Sequence, residues 1–291
     1  MINRLKAECL ACLTKKYLSR YPLDSTEEQK LTYMRRFCAE IAKAPEELAA
    51  PVVVRNINNI HEEVFGNRID YASVKPYFNE LMLKQEPWIS EEIRNSKDPL
   101  LCAMQFALVG NYIDFGAMKQ IDEAVLFEQL HNVTKKEISK EMYKQFCNGL
   151  SQAKQLVYLT DNCGEIVLDK LFIQELKNRY PSVNITVLVR GGLVLNDATI
   201  EDAKQVGLDR VATVFGNGNN IAGTWEAELS IEAANMLDSA DVILAKGQAN
   251  YETLNHCGRN VYYLFLCKCD MFAREFGVEK FTGMFLCDRN L

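Results

Sequence analysis

The sequence predicts an α/β fold, with a mainly parallel sheet in an α/β/α Rossmann-like layer preceded by a helical N-terminal domain. Three observations indicate this class: apolar, β-branched runs after residue 155, helical segments between those runs, and a purely helical apolar periodicity before them. Strands that alternate with helices form parallel βαβ units, and strands that are apolar throughout lie in a sheet covered on both faces. We therefore expect a helical domain over residues 1–150 and an α/β domain over residues 151–291.

The first half of the chain shows helical spacing. Apolar side chains recur every three or four residues in Leu5–Leu13 and again in Ile57–Val64. Asp24–Glu27 and Asp98–Pro99 are typical helix starts, because Asp, Ser and Thr cap helices and Pro suits the first helical turn. Ser90–Glu92 predicts a further start of the same kind.

The second half alternates strands and helices. Five apolar runs predict strands over Leu156–Leu159, Ile185–Val189, Val211–Phe215, Val242–Ala245 and Val261–Leu266. Helices are predicted over Glu165–Arg179, Ile200–Val206, Glu226–Leu237, Tyr251–His256 and Met271–Phe276. Because the carboxyl ends of parallel strands meet at one edge of the sheet, the residues that follow the runs should lie together there, where α/β sheets bind ligands.

The composition excludes several classes of protein. Apolar residues make up 48% and charged residues 25% of the chain, the balance of a soluble, well-cored protein. A net charge of −6 argues against a general nucleic-acid binder. The sequence shows neither an apolar run long enough to span a membrane nor a signal-peptide core. We expect a cytoplasmic protein with reduced cysteines and a small-molecule partner.

Cys9 and Cys12 form a C-x-x-C motif that could be half of a zinc site, a redox pair or two core residues. A redox motif belongs in a βαβ context, whereas this one lies in a helical segment. A four-ligand zinc site needs further ligands, and the sequence offers no second C-x-x-C or H-x-x-x-H. We expect both cysteines to pack in the helical core.

Polar residues follow the predicted strands. They include Asp161 and Asn162 after the first strand, Arg190, Gly191 and Asp197 after the second, Lys246 after the fourth and Lys268 after the fifth. Carboxylate and amide oxygens suit a divalent ion such as Mg²⁺ or Mn²⁺, and Arg and Lys suit a phosphate. The helix that begins near Glu165 would add backbone N–H groups. Taken singly, Asp161 could be a helix N-cap, Lys246 a solvated lysine and Gly191 part of a turn.

Four stretches of the sequence are recognisable. TDNCGEIVLDKLF, VRGGLVLNDATIEDA and AKGQANYETL resemble the signature blocks of the damage-control phosphatase family, which includes proteins described as acidic-residue methyltransferase-like. GNYIDFG, over Gly110–Gly116, resembles a block of the family's helical part. The matches run from Cys9 to about Gly277 in the family's order, and the C-x-x-C motif resembles the mostly prokaryotic branch. The resemblance implies a phosphatase that needs Mn²⁺, Ni²⁺, Co²⁺ or Mg²⁺ and hydrolyses small phosphomonoesters, such as sugar phosphates or damaged or surplus phosphometabolites.

The resemblance also implies roles for single residues. The family's metal ligands match Asp161, Asn162 and Asp197, its phosphate-contacting lysine matches Lys246, and positions near its substrate match Asn111 and Asp114. Some members carry an Arg-Thr-x-Lys block after the last strand, where this chain has Leu266–Cys269, so Lys268 lacks that support. The expected substrate-binding set is Asn111, Asp114, Arg190, Gly191, Lys246 and Lys268.

The expected reaction is in-line attack of water on a phosphate ester, with the metal ion and cations neutralising phosphate charge. Glu165 or Asp114 would position or deprotonate the water, and the sequence leaves both open. Two alternatives remain. An S-adenosylmethionine-dependent carboxyl methyltransferase would need a glycine-rich turn after the first strand, where only Gly164 occurs. A non-catalytic protein would bind phosphometabolites without releasing phosphate.

Overall fold

A computed structural model of the chain describes residues 4–66, 71, 74–114, 122–135 and 137–291. The chain divides into two compact units, Met1–Asp70 and Tyr71–Leu291. The change from helices to strands occurs near residue 150, as the sequence indicates, but the units separate between Asp70 and Tyr71. Helical periodicity is the same whether a helix packs on other helices or on a sheet, so the pattern does not reveal this boundary.

The first unit contains three described helices, α1 (Ala7–Tyr17), α2 (Glu27–Lys43) and α3 (Ala50–Phe65). Thr26 caps α2 in a capping box with Gln29, as the Asp24–Glu27 segment predicts. Cys9 is partly buried against the core of this unit, but Cys12 is exposed, so the prediction of core packing is wrong for Cys12. Two side chains three residues apart on a helix point in directions that differ by about 60° around the helix axis. This difference is enough for Cys12 to lie outside the apolar stripe that contains Cys9.

The second unit holds the sheet and most of the helices. Four described α-helices precede the sheet: α4 (Val74–Asn95), α5 (Pro99–Gly110), α6 (Glu123–His131) and α7 (Lys140–Gln152). The described strands are β1 (Gln155–Leu159), β2 (Asn184–Val189), β3 (Thr213–Gly216), β4 (Val242–Lys246), β5 (Val261–Leu266) and β6 (Gly283–Cys287). Five helices lie between or after them: α8 (Glu165–Arg179), α9 (Ile200–Val206), α10 (Ile231–Ser239), α11 (Gln248–Leu254) and α12 (Asp270–Phe276).

The strand order is β3-β2-β1-β4-β5-β6. The first five strands are parallel, and β6 pairs antiparallel with β5. This order confirms the predicted mainly parallel sheet and adds β6, which the sequence analysis did not identify. The order reverses between the neighbours β1 and β4, and such a switch point leaves a crevice outside the carboxyl ends of the strands.

Most predicted elements agree with the structure to within a few residues. Asp98 caps α5 through its side chain, as expected. Ser90–Glu92, however, lies inside α4 and starts no helix, because the solvated side of a continuous helix carries the same residue types as a helix start. The helix expected from Glu226 begins at Ile231, after the N-cap Ser230. In the described part of the chain, every helix is too short or too polar to cross a bilayer.

Candidate active site

A short backbone pairing joins the loops that follow β1 and β2. The N–H of Ala198 donates to the carbonyl oxygen of Asp161 at 2.7 Å, and Asn162 pairs with Asp197 in an antiparallel bridge. The structure therefore brings together Asp161, Asn162 and Asp197, the three residues predicted as metal ligands. All three side chains are buried.

Arg190, which directly follows β2, lies between the two aspartates. Its Nε donates to Asp197 Oδ2 at 2.6 Å, and its Nη2 lies 3.5 Å from Asp161 Oδ1. The guanidinium is buried with both carboxylates. The two acids thus converge on one cationic group, and Arg190 contacts protein carboxylates at the position where a substrate contact was predicted.

The carboxylates are crowded. Burial raises the pKa of Asp161 well above its usual value, the charges of Asp197, Glu165 and Asp114 raise it further, and Arg190 lowers it. Burial also raises the pKa of Asp197 to about 6, although Arg190 opposes the shift. Burial and the neighbouring carboxylates disfavour the ionised forms of these acids. A bound cation would therefore stabilise the cluster.

Two side-chain amides connect Asp161 to Glu165, the first residue of α8. Asn111 Nδ2 donates to Asp161 Oδ2 at 2.9 Å and to the two Glu165 oxygens at 3.2 and 3.1 Å, while its Oδ1 accepts the N–H of Leu266 at 3.0 Å. Asn162 Nδ2 donates to the same pair, at 2.8 and 3.0 Å. Asn111, predicted from the helical half, therefore lies in direct contact with the predicted ligand Asp161.

Two glycines allow this close packing. A Cβ atom at Gly110 would lie 2.8 Å from Leu168 Cδ1, so the missing side chain lets the end of α5 approach α8. A Cβ at Gly247 would lie 2.8 Å from Asp161 Cβ and closer still to its carboxylate. Gly247 has φ 84° and ψ 154°, a conformation that essentially only glycine adopts. The segment after β4 thus touches Asp161 across the switch point.

Lys246, the last residue of β4, does not face open space. Its Nζ donates to Glu165 Oε1 and Asp169 Oδ1, both at 2.7 Å, and to the carbonyl oxygen of Ala107 at 2.9 Å. The side chain is fully buried, and the charges of Asp169 and Glu165 raise its pKa although burial lowers it. An ammonium group has three N–H donors, so this arrangement differs from the predicted phosphate contact.

Asp114 and Lys268 form an ion pair that is more open to solvent. Lys268 Nζ lies 2.7 Å from Asp114 Oδ2, and the Asp114 side chain is 18% exposed, against 6% for Asp161 and none for Glu165. Gln248 Oε1 accepts the N–H of Lys268 at 2.8 Å and fixes the segment after β5. Asp114 is therefore the site carboxylate most accessible to water or substrate.

The start of α8 differs from the sequence expectation. Its N-cap is Gly164, which excludes the interpretation of Asp161 as the cap. The N–H of Gly164 donates to Asn79 Oδ1 at 2.6 Å, and the N–H groups of Glu165 and Ile166 donate to preceding carbonyls. Protein acceptors thus occupy the backbone donors that were expected to bind an anion. Asn79 lies in α4, and no motif around it in the sequence indicates this role.

Gly191 packs against the loop after β3. Its N–H donates to Asn217 Oδ1 at 2.8 Å, and a Cβ at this position would lie 2.7 Å from the backbone N of Asn219. Gly191 therefore belongs to a turn, and its missing side chain lets the loop after β2 pack closely against the loop after β3.

The charged side chains of this site fit a divalent cation. They comprise five carboxylates (Asp114, Asp161, Glu165, Asp169 and Asp197) and three cations (Arg190, Lys246 and Lys268). Carboxyl groups outnumber cations in this set, so an added cation would stabilise it. Hard oxygen donors from carboxylates and an amide are those that Mg²⁺ and Mn²⁺ accept. Among the described residues, no three or more His, Cys, Asp or Glu side chains are arranged as a metal site, so the set depends on the amide of Asn162.

A separate cavity lies at the opposite edge of the sheet. It has a volume of about 700 Å³ and is lined in part by Asn184, Ile185, Thr213 and Val214, at the starts of β2 and β3. The site described above lies at the carboxyl ends of the strands, so the two locations are distinct.

Comparisons with known proteins agree with this architecture. The family model described as "Damage-control phosphatase ARMT1-like domain" matches residues 5–283. A damage-control phosphatase of Archaeoglobus fulgidus is 33% identical over 241 residues, which cover 79% of this chain and 80% of the relative. A damage-control phosphatase of Pyrococcus horikoshii is 27% identical over 291 residues, 99% of this chain and 98% of the relative. A crystal structure of a DUF89 family protein from P. horikoshii superposes with a TM-score of 0.81 at 25% identity, covering 98% of this chain and 99% of that one.

Proposed function

Because the chain belongs to the damage-control phosphatase ARMT1-like family, we propose that it is a divalent-metal-dependent phosphatase that hydrolyses small phosphomonoesters. The family model and the two relatives named damage-control phosphatases support a phosphatase acting on damaged or surplus phosphometabolites. One observation carries the metal requirement: Asp161 and Asp197 converge in a buried site that holds more negative than positive charge.

In this proposal Asp161, Asn162 and Asp197 hold the ion, which is Mn²⁺, Ni²⁺, Co²⁺ or Mg²⁺. A bound ion would supply positive charge that neutralises the phosphate and would make water more acidic. Asn111 keeps Asp161 in place through its 2.9 Å hydrogen bond. Gly247 leaves room for the Asp161 carboxylate beside the start of α11.

The cations Arg190 and Lys268 bind the phosphate oxygens of the substrate. Arg190 has five N–H donors, of which those on Nε and Nη2 supply its contacts to Asp197 and Asp161. Lys268 lies beside the partly exposed carboxylate of Asp114. Both cations stabilise charge on the equatorial oxygens during in-line displacement. Binding at these residues places the phosphorus near the acidic cluster and leaves the alcohol group toward the exposed end of the site.

Asp114 positions the attacking water and takes its proton. Water attacks phosphorus, the ester P–O bond breaks with its electron pair on the alcohol oxygen, and that oxygen takes a proton from solvent. Glu165 is the weaker candidate for the base because it has no exposed surface and its oxygens already accept bonds from Lys246, Asn111 and Asn162. Its role here is to hold the two amides.

Phosphate release over a panel of phosphomonoesters tests this function. Metal-stripped protein would be assayed with Mn²⁺, Ni²⁺, Co²⁺, Mg²⁺ or EDTA, alongside Asp197→Asn and the exposed control Asp209→Asn at the opposite edge. We expect release that needs a metal, is lost in Asp197→Asn and persists in Asp209→Asn. Release that EDTA does not affect would contradict the metal requirement. Tight binding of the esters without release under any metal would instead identify a non-catalytic binding protein.

A further inference from the structure

A chain of buried polar contacts continues beneath the site to two residues that the proposed function leaves without a role. Tyr158, the penultimate residue of β1, donates from its Oη to Asp169 Oδ1 at 2.6 Å, and the same oxygen accepts from Lys246 Nζ at 2.7 Å. Lys246 in turn donates to Glu165 at 2.7 Å. Glu165 accepts the amide of Asn162, one of the proposed metal ligands. The side chains of Asp169, Lys246 and Glu165 have no exposed surface.

Lys246 is shared equally by two acids. Its Nζ lies 2.7 Å from an oxygen of Glu165 and 2.7 Å from an oxygen of Asp169, one helical turn further along α8. Burial raises the pKa of Asp169 and the charge of Lys246 opposes that shift. Asp169 Oδ1 accepts hydrogen bonds from both the Lys246 ammonium and the Tyr158 hydroxyl, the arrangement expected of a carboxylate. One positive charge therefore faces two negative charges, and the three side chains together remain negative.

We propose that Asp169 is a positioning residue that withdraws part of the charge of Lys246 from Glu165 and so keeps the metal side of the site negatively charged. Were Asp169 neutral, Lys246 would pair with Glu165 alone, and the three side chains would carry no net charge. Removing one negative charge close to a cation site weakens the binding of a divalent ion. The loss of affinity is large where water does not screen the interaction between the two charges. Tyr158 fixes Asp169 through its hydroxyl group. This inference rests on the proposed metal dependence.

Among the described residues, a second tyrosine–aspartate pair lies outside the site. Asp288 is buried, and its Oδ1 accepts Tyr263 Oη at 2.8 Å, the same kind of bond that joins Asp169 to Tyr158. Asp288 also accepts the N–H of His256. Because His256 precedes β5 in the chain, this contact lies at the amino edge of the sheet, away from the site. Asp288→Asn therefore removes a buried, tyrosine-bonded carboxylate without changing the charge of the site.

Mn²⁺ binding to metal-stripped protein, measured by isothermal titration calorimetry at pH 7.5, tests the inference in the wild type, Asp169→Asn and Asp288→Asn. We expect Asp169→Asn to bind Mn²⁺ about tenfold more weakly and Asp288→Asn to bind within about twofold of the wild type. Thermal denaturation establishes that the variants are folded. Equal Mn²⁺ affinity in the two variants would overturn the role of Asp169, whereas absence of Mn²⁺ binding by the wild type would overturn the proposed function itself.

A double variant separates charge from structural damage. Lys246→Met combined with Asp169→Asn leaves Glu165 as the only charge of the three, so their net charge returns to the wild-type value. We expect the double variant to recover most of the Mn²⁺ affinity lost in Asp169→Asn. If Asp169 had only a structural role, the second substitution would lower the Mn²⁺ affinity further. If Asp169→Asn does not fold, affinity of the double variant tenfold or more below the wild type would equally overturn the inference.

Discussion

Substituting Gly247 with alanine tests how closely the two sides of the switch point must approach. The new methyl group would lie 2.8 Å from Asp161 Cβ and inside the van der Waals surface of its carboxylate. Real Cβ atoms essentially never come within 3.0 Å of such a neighbour. Asp161 must therefore move by about 1 Å or more, and it cannot do so without loosening its bonds to Asn111 and Asn162.

Two effects set the expected losses of stability and activity in Gly247→Ala. The backbone at Gly247, with φ 84° and ψ 154°, costs a residue with a side chain about 1–3 kcal/mol of folding free energy. A displacement of about 1 Å in a group that positions the reaction can lower the rate about a hundredfold. We therefore expect Gly247→Ala to remain folded, to melt several degrees lower, and to lose about a hundredfold or more in kcat/KM for phosphate release, with weaker Mn²⁺ binding.

Gly258→Ala is the control. Gly258 also has a positive φ, +77°, but a Cβ there meets nothing within 4 Å. It should lose stability through backbone strain and keep its kcat/KM. Steady-state kinetics and Mn²⁺ titration of both variants make the comparison. If Gly247→Ala retains kcat/KM within about threefold of Gly258→Ala, the close approach of this segment to Asp161 does not matter for activity.

Three further predictions concern Asn111, Lys246 and Glu252. Asn111→Ala should lower kcat at least tenfold because Asp161 loses a holding amide; unchanged kcat at saturating Mn²⁺ would contradict this. Lys246→Met should destabilise the protein by about 3–5 kcal/mol in urea denaturation, since it leaves two buried carboxylates unpaired; a change in KM alone would instead support direct substrate contact. Burial raises the pKa of Glu252 to about 7, although Gln248 lowers it, so the folded state holds this proton more tightly than the unfolded state. The free energy of unfolding should therefore fall as pH rises from about 4.5 to about 7, and Glu252→Gln should flatten that fall; a parallel pH profile in the variant would refute it.

The sequence predicts the meeting of Asp161, Asn162 and Asp197 for a simple reason. Apolar runs mark the strands, and the carboxyl ends of neighbouring parallel strands share one edge of the sheet. The bridge between Asn162 and Asp197 lies at that edge. The same reasoning brings Arg190 and Lys268 to the site, because Arg190 directly follows β2 and Lys268 lies two residues after β5.

The direction of a strand-end side chain is harder to infer. Lys246 ends a strand that is buried throughout, and its side chain lies against Glu165 and Asp169 of α8 instead of reaching the open edge. The spacing of α8 does not identify Asp169 either, because an acid one turn from Glu165 usually lies on a solvated helix face. Here ten of the fifteen residues of α8 are buried, and only the packing of α5 and α4 over this helix shows why.

Asn79 illustrates the other limit of sequence reasoning. Its side chain accepts the N–H of Gly164 and donates to Asp202, so one amide joins three helices. These contacts connect residues more than eighty positions apart, and neither a motif nor a period in the sequence relates them. The contact occupies the N-terminal donor of α8, which is why the predicted anion site at that helix is not formed.

The location of the metal ion tests the central proposal most directly. Crystals soaked in Mn²⁺ at the concentration that gives full activity, with diffraction measured on both sides of the manganese absorption edge, would yield an anomalous difference map. We predict one dominant peak within about 2.0–2.6 Å of oxygen atoms of Asp161, Asn162 and Asp197, and no such peak in Asp161→Asn crystals. A dominant peak elsewhere, or none at this site in the active protein, would contradict the proposal that these three residues hold the catalytic ion.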